Sequence, residues 1–294
     1  MLAHGSPAID LLAITTVGGN QTLDKVTYNA RVVATICGMT GVPVAAGSPV
    51  PLVRAQMVAG TIHGDSGLDG PVLPEPTVPL DDRHGVDLII ETVMDRAPGT
   101  VTLVPTAPLT NIALAIRKEP AIVERVAEVV LMGGGYSKGN VTPAAEFNIA
   151  VDPEAAQMVF TAPWKVTMVG LDLTHQALAT PQVRQRFSAL ETTAGQFVVD
   201  ILDFFRESYR ADQGFESPPV HDPCAVARVI DPSVMTVRPA HVEVELAGRL
   251  TTGMTVCDFR GLDGAPLGTD VAVTLDAPKF WDLVVDAVTT IGAG

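Results

Sequence analysis

The feature that most constrains the fold is the alternation of short apolar runs with helical patterns along the chain. Runs such as residues 9–17 (IDLLAITTV) and 128–132 (EVVLM) are rich in branched residues, as expected of strands buried on both faces. A helical pattern follows most of these runs. The alternation predicts an α/β fold over residues 1–294, with a mainly parallel, open central sheet and helices on both faces.

The predicted elements can be placed from apolar periodicity and from turn residues. We predict strands at residues 9–17, 42–46, 100–104, 128–132, 166–169, 234–237, 241–246 and 254–257. We predict helices at residues 85–96, 110–118, 153–161, 181–190, 195–211, 221–230 and 278–291, with another ending near residue 39 and the tail of a helix at residues 1–6. Residues 53–79 lack periodicity and are predicted to form a long loop, a kind of segment that is usually functional.

Charge and cysteine content exclude several classes of protein. The formal net charge of -14 argues against nucleic acid or an anionic membrane as partner, because phosphate binding needs clustered Lys and Arg. No apolar run reaches the roughly 20 residues of a membrane span, and no leader pattern is recognisable. Cys37, Cys224 and Cys257 are odd in number and widely spaced. They argue against a disulfide framework or a zinc cluster and favour a reducing cytoplasm.

Polar candidates follow three of the predicted strands. Asn20 follows the first strand, Thr106 follows residues 100–104, and a glycine-rich segment begins at Gly133. Ligands bind beyond the carboxyl ends of the strands in sheets of this kind. The sequence therefore predicts one ligand site at that edge. Residues 133–135 are three glycines, but neither the Lys-Ser/Thr of a P-loop nor a dinucleotide fingerprint accompanies them, so phosphate binding is not favoured.

The stretch Glu146-Phe147-Asn148 places a carboxylate, an aromatic ring and a carboxamide in consecutive positions. It lies between the glycine-rich segment and Asp152-Pro153, which is typical of a helix start. We therefore predict a loop against a helix mouth, where polar side chains can converge on a small ligand. A capped loop with incidental polarity is the alternative interpretation.

His221 and Asp222 form the second candidate pair. Asp222 could simply cap the helix that Pro223 begins, or it could be a hard oxygen ligand for calcium beside a titratable acid. His63 lies in the middle of the long loop, and functional and structural roles both stay open for it. The remaining histidines are interpreted as structural or exposed: His4, His84, His175 and His241.

Six runs of the sequence carry a resemblance to a known family. They are residues 13–23 (AITTVGGNQTL), 63–70 (HGDSGLDG), 104–113 (VPTAPLTNIA), 131–135 (LMGGG), 146–152 (EFNIAVD) and 221–223 (HDP). In this order they resemble the inosine-uridine-preferring nucleoside hydrolases over essentially the whole chain. The resemblance implies a nucleoside hydrolase-like open sheet, a homodimer or homotetramer, and one bound calcium ion. It implies hydrolysis of the N-glycosidic bond of ribonucleosides such as inosine and uridine, through a calcium-bound water, to ribose and free base.

The resemblance also implies roles for individual residues. Asp222 would bind calcium through its carboxylate and Thr106 through its backbone carbonyl, while His221 would be the acid that protonates the leaving base. The other implied residues would contact the ribose, the base or the ordered water: Asn20, His63, Met132, Asn140, Glu146, Phe147, Asn148 and Tyr209.

The N-terminus departs from the family pattern. The family begins with an aspartate signature of the form Asp-x-Asp-x-x-x-Asp-Asp, which supplies most calcium carboxylates and the base that deprotonates the water. This sequence begins at Met1, inside the helix that should follow, and Asp81-Asp82 does not reproduce the pattern. The expectation is a nucleoside hydrolase whose sequence is incomplete at its N-terminus, for example through a wrongly assigned start.

Two other functions remain open at this point. A non-catalytic nucleoside- or ribose-binding relative would keep Glu146 and Asn148 without needing the aspartate signature. An enzyme that acts on a different N-riboside, such as a nicotinamide riboside, would use the same ribose contacts. Base preference is not fixed by the sequence, although His221 and Tyr209 fit a broad purine-and-pyrimidine type, and Phe205 cannot donate a hydroxyl hydrogen bond.

Overall fold

The computed structural model describes residues 1–262 and 264–293, and it has the predicted α/β architecture. Short, mostly buried strands alternate with helices along the chain. The strands are β1 Ile14–Thr16, β2 Val44–Ala46, β3 Val101–Leu103, β4 Val126–Met132, β5 Val166–Val169, β6 Met235–Val244, β7 Thr255–Asp258 and β8 Thr269–Leu275.

Over the described residues these strands form a six-stranded sheet and a two-stranded parallel sheet. The strand order in the larger sheet is β3-β4-β5-β8-β6-β7, and β1 pairs with β2. Neighbours are parallel from β3 to β8, whereas β6 runs antiparallel to both β8 and β7. The sheet is therefore mixed, with the parallel part that the alternation predicts.

The helices agree with the predictions at most positions, and their ends differ by a few residues. They are α1 Leu2–Gly5, α2 Leu23–Ile36, α3 Gly60–His63, α4 Gly85–Met94, α5 Thr110–Lys118, α6 Ile122–Arg125, α7 Phe147–Val151, α8 Pro153–Thr161, α9 Leu171–Thr174, α10 Pro181–Ser188, α11 Thr193–Gln213, α12 Asp222–Ile230 and α13 Ala277–Gly292. Pro153, Pro181 and Pro278 each lie in the first turn of a helix, where the missing N–H has no intrahelical partner to lose.

Three sequence predictions about the elements are wrong. Residues 234–237 and 241–246 were expected to be separate strands, but they belong to the single strand β6, which continues through Pro239. Strand β8 was not predicted. The long loop at residues 53–79 contains the short helix α3, which ends at His63.

The core lies on both faces of the larger sheet, as β4 shows. Val130 and Met132 pack into the cluster under α11, α12 and α13, whereas Val129 and Leu131 pack into the cluster under α4, α5 and α8. A strand buried on both faces needs apolar residues at every position, which explains the continuous run that identified it. The three cysteines are free thiols, and Cys37 and Cys224 are buried. Within the described ranges, no helix is long and apolar enough to cross a membrane.

Candidate active site

A cavity of about 640 Å³ opens at the carboxyl ends of the strands and contains the predicted site residues. Cavities of this size suit a small organic ligand. β4 ends at Met132 on its wall, and residues that follow β1 and β3 line it as well. All the predicted residues line this one cavity: Asn20, His63, Thr106, Met132, Asn140, Glu146, Phe147, Asn148, Tyr209, His221 and Asp222.

Glu146 is the N-cap of α7, and its carboxylate is buried. It accepts hydrogen bonds from the backbone N–H of Asn148 (2.9 Å), Ile149 (3.2 Å) and Gly134 (2.9 Å). Burial raises the pKa of this carboxyl to about 7, although the three N–H donors favour the ionised form. The predicted loop is thus wrong from Phe147 onward, because the Glu146 side chain satisfies the free N–H groups of a new helix.

Asn148 lies in the first turn of α7 and turns its amide toward the end of β4. Its Nδ2 donates to the backbone carbonyl of Met132 (3.1 Å), which ties the helix start to the strand end. Asn140, on the glycine-rich segment, accepts from the Phe147 N–H through Oδ1 (2.9 Å). These bonds fix a carboxylate and two carboxamides on one side of the cavity.

Both ring nitrogens of His221 have hydroxyl partners. The Thr174 hydroxyl lies 2.8 Å from Nδ1, and the Tyr209 hydroxyl lies 2.8 Å from Nε2. Burial is the main cause that lowers the pKa of His221 to about 3, and the nearby His175 and His63 contribute to the shift. Burial also raises the pKa of the Tyr209 phenol above its usual value. The three residues form a hydrogen-bonded chain that ends at the cavity wall.

Asp222 is the first residue of α12, and its carboxyl opens into the cavity. The interpretation of Asp222 as the helix cap is wrong, because the N-cap position is His221 and its side chain makes no capping hydrogen bond. The surrounding protein raises the pKa of the Asp222 carboxyl to about 7, and the nearby charge of Glu146 adds to the shift. Thr106, after β3, faces the same cavity.

The cavity is also lined by aromatic rings. His63 meets Phe205 edge-on with ring centroids 5.4 Å apart, and Phe205 meets Tyr209 at 6.0 Å. Burial lowers the pKa of His63 to about 4, so its ring is neutral near pH 7. Phe205 and Tyr209 lie four residues apart on α11, so their rings come from the same face of that helix.

Sequence reasoning missed two neighbours of His221. Thr174 is buried at the end of α9 and precedes His221 by 47 residues, so no local pattern indicates it. His175 was interpreted as structural or exposed, but its ring lies 5.8 Å from that of His221. Its Nε2 is buried without a hydrogen-bond partner among the described residues. His84 is structural as expected, because it caps α4.

Comparisons with known proteins agree with this fold. The family model described as inosine-uridine preferring nucleoside hydrolase matches residues 1–282. A relative with that same name from Crithidia fasciculata is 58% identical over 99% of this chain and 93% of its own length. A pyrimidine-specific ribonucleoside hydrolase from Escherichia coli O157:H7 is 45% identical, over 98% of this chain and 91% of its own. The structure of a purine-preferring ribonucleoside hydrolase from Gardnerella vaginalis superposes with a TM-score of 0.92 at 33% identity, covering 99% and 93% of the two chains.

The chain therefore belongs to the inosine-uridine preferring nucleoside hydrolase family, as the six sequence runs predicted. It is a hydrolase of nucleosides, and the non-catalytic alternative is not favoured.

Proposed function

We propose that this hydrolase, acting as one domain over residues 1–294, cleaves the N-glycosidic bond of ribonucleosides such as inosine and uridine to ribose and free base. One observation carries the proposal. A single cavity brings the Glu146 carboxylate and the Asn148 amide together with the hydrogen-bonded pair of His221 and Tyr209. The first two suit a polyhydroxylated sugar, and the second pair suits a base that must leave with a proton.

The ribose side of the proposal rests on acceptor sites that remain after the structural bonds are counted. An ionised carboxylate offers about four acceptor positions, and the backbone uses three at Glu146. Asn148 uses one Nδ2–H for Met132, which leaves its amide oxygen for a hydroxyl donor. Glu146 and Asn148 would bind ribose hydroxyls, with Asn20 and Asn140 beside them. Met132 would lie beneath the sugar.

The leaving-group side rests on the chain formed by Thr174, His221 and Tyr209. Cleavage passes through an oxocarbenium-like ribosyl state, as in glycoside hydrolysis, and the departing base needs a proton. Because both nitrogens of His221 are occupied, we propose that His221 acts through Tyr209. With its pKa lowered to about 3, the protonated ring is a minor but strongly acidic form that passes its proton on readily. Tyr209 gives its hydroxyl proton to the base and takes one from Nε2, which leaves a neutral imidazole held by Thr174.

A hard cation fits part of this site, and we propose calcium. The Asp222 carboxyl opens into the cavity, and with the Thr106 carbonyl it offers the oxygen ligands that calcium prefers. Residues 1–262 and 264–293 contain no group of three His, Cys, Asp or Glu side chains that could hold a metal. Asp222 and Thr106 would therefore contribute two ligands out of the roughly six to eight that calcium takes. Bound calcium would anchor the ribose hydroxyls and activate the attacking water.

His63 and Phe147 would line the base and ribose, and Tyr209 would border the base. We propose a broad preference for purine and pyrimidine ribonucleosides, in the manner of the Crithidia relative's name. We further propose a cytoplasmic location, which the free thiols favour. We also propose a homodimer or homotetramer, the assembly that the sequence resemblance implies. Light scattering of the purified protein would measure the assembly.

Comparing two leaving groups in one variant tests the acid. Hypoxanthine leaves poorly unless it is protonated, so His221→Ala should slow inosine hydrolysis by roughly 10² to 10⁴. A riboside with an activated leaving group, such as p-nitrophenyl riboside, needs no proton and should be nearly unaffected. KM should change little for either substrate, because the ribose contacts remain. Equal losses of kcat on both substrates would show that His221 only packs the start of α12.

A further inference from the structure

Three side chains, one just before α2 and two on its first turns, hold the backbone of the loop that follows His63. Gln21 precedes the helix cap Thr22, and Lys25 and Asn29 lie four residues apart on one face of α2. They donate to three consecutive carbonyls of the loop, at residues 64–66. The Gln21 bond is 3.1 Å and the Asn29 bond is 2.9 Å, while Lys25 bonds the carbonyl between them. We name these three residues the side-chain ladder.

The loop itself is shaped to lie on the ladder. Asp69 closes it from inside, accepting from the N–H of Asp65 (3.0 Å) and Ser66 (3.0 Å). Gly67 lies directly on Gln21, where an added Cβ would stand 2.8 Å from the Gln21 Cγ. Its φ of +81° is also in the region that favours glycine. The Asp69 hydrogen bonds and the contact of Gly67 with Gln21 therefore favour a loop conformation that presents its carbonyls to the ladder.

Asn20 and His63, at the two ends of the α3 segment, both line the cavity. His63 is the last residue of α3 and directly precedes residues 64–66, whose carbonyls accept from the ladder. The His63 ring packs against Phe205. On the other side of α3, the carbonyl of Asn20 accepts from the Ala59 N–H (3.0 Å). Residues 20–29 thus hold the His63 segment before and after the histidine.

We propose that the side-chain ladder is a set of positioning residues that fixes His63 against the base of the bound nucleoside. The proposal rests on the function proposed above. The ladder's hydrogen bonds to the loop go to main-chain carbonyls, and the Lys25 charge also faces Asp69, so the ladder sets the place of the segment without touching the reacting atoms. His63 would contact the base before and during bond cleavage. Loss of a ladder contact should therefore weaken substrate binding and leave the chemical step intact.

The test uses Lys25, the exposed member of the ladder. Lys25→Met keeps most of the side-chain length and removes the donor, so KM for inosine should rise about two- to tenfold with kcat nearly unchanged. Lys25→Arg should restore KM, because it donates again. Lys118→Met is the matched control, since Lys118 is also exposed and its ammonium pairs with Asp87, which does not line the cavity. It should leave both parameters unchanged.

A double-mutant cycle with His63→Ala separates positioning from general loosening. If the ladder acts through His63, Lys25→Met should have little further effect on KM in the His63→Ala background. An equal rise of KM in both backgrounds would overturn the proposal. So would an unchanged KM in both Lys25→Met and Asn29→Asp, the latter placing a carboxylate oxygen against the Ser66 carbonyl.

Amide hydrogen exchange of the ligand-free protein tests the ladder without relying on turnover. Residues 60–70 should exchange faster in Lys25→Met and Asn29→Asp than in wild type and in Lys118→Met. If wild type fails to hydrolyse any ribonucleoside, the proposed function fails. The difference in exchange would still test whether the ladder side chains hold the loop in place. Identical exchange in all four proteins would overturn the ladder.

Discussion

Glu146→Gln separates the structural role of this residue from its proposed contact with ribose. The wild-type carboxylate accepts one N–H at Oε1, from Asn148, and two at Oε2, from Gly134 and Ile149. A glutamine can keep its oxygen toward the last two. Its NH2 then faces the Asn148 N–H, so one capping bond of α7 is lost.

The stability cost of this change should be small. Losing a capping bond costs about 0.5–2 kcal/mol. Replacing a buried carboxylate, whose pKa burial raises to about 7, removes a desolvation cost and offsets part of that loss. We therefore expect the free energy of unfolding to fall by about 1 kcal/mol. Urea unfolding measured near pH 7 would give this value.

The free energy lost from catalysis should be larger than the free energy lost from folding. A hydrogen bond from a ribose hydroxyl to a charged acceptor contributes about 1.5–3 kcal/mol, which corresponds to roughly a ten- to hundredfold loss of kcat/KM. If the bond tightens in the transition state, KM rises and kcat falls together. Steady-state inosine hydrolysis would measure both parameters.

Asp276→Ala is the control for the capping effect. Asp276 caps α13 by accepting from the Lys279 N–H (3.1 Å), and it does not line the cavity. Its loss should also cost about 1 kcal/mol of stability and leave kcat/KM unchanged. If Glu146→Gln behaves like this control, Glu146 is a helix cap without a substrate contact, and the ribose assignment is refuted.

Two further predictions concern the carboxylate of α12 and the ring on α3. Asp222→Ala should abolish calcium-dependent hydrolysis, and a calcium titration of the rate that matches wild type would remove Asp222 from the metal ligands. Burial lowers the pKa of His63 to about 4, against about 6.5 in an unfolded chain, so the unfolded state binds more protons in acid. On going from about pH 7.5 to pH 5, wild type should therefore lose about 2 kcal/mol more of its free energy of unfolding than His63→Gln does. Equal losses in the two proteins, measured by urea unfolding, would contradict this prediction.

The sequence predicted the parallel strands better than the antiparallel part of the sheet. Strands such as β4 are apolar at every position because both faces are buried, and that signal survives without any tertiary information. Strand β8 (TDVAVTL) mixes polar and apolar residues, so no apolar run indicates it. Residues 234–237 and 241–246 were predicted as two strands, yet β6 continues between them, where Pro239 is the register partner of Asp270. Pairing partners far along the chain decided both cases.

The site could be predicted in its residue types and not in its hydrogen bonds. Chemistry-bearing residues that follow buried strands converge because parallel strands end at one edge, and the cavity contains all of them. The hydrogen bond between the Thr174 hydroxyl and His221 Nδ1 forms only because the fold brings the end of α9 to the start of α12. The Gly134 donor to Glu146 likewise depends on a glycine with φ of +73°. Such bonds follow from the packed backbone, which periodicity does not determine.

The proposed arrangement divides the cavity into a part held by the central sheet and a part built from surface segments. Glu146 and Asn148 are buried and bonded to the end of β4, so their positions follow from the sheet and should be the same for every nucleoside. The proposed base side comes instead from α3, its loop and α11, where His63 and Phe205 are only partly buried. Surface segments tolerate substitution better than a sheet core does. On the proposed assignment, ribose recognition would follow from the fold, whereas base preference could change through substitutions on α3 and α11 without disturbing the sugar contacts.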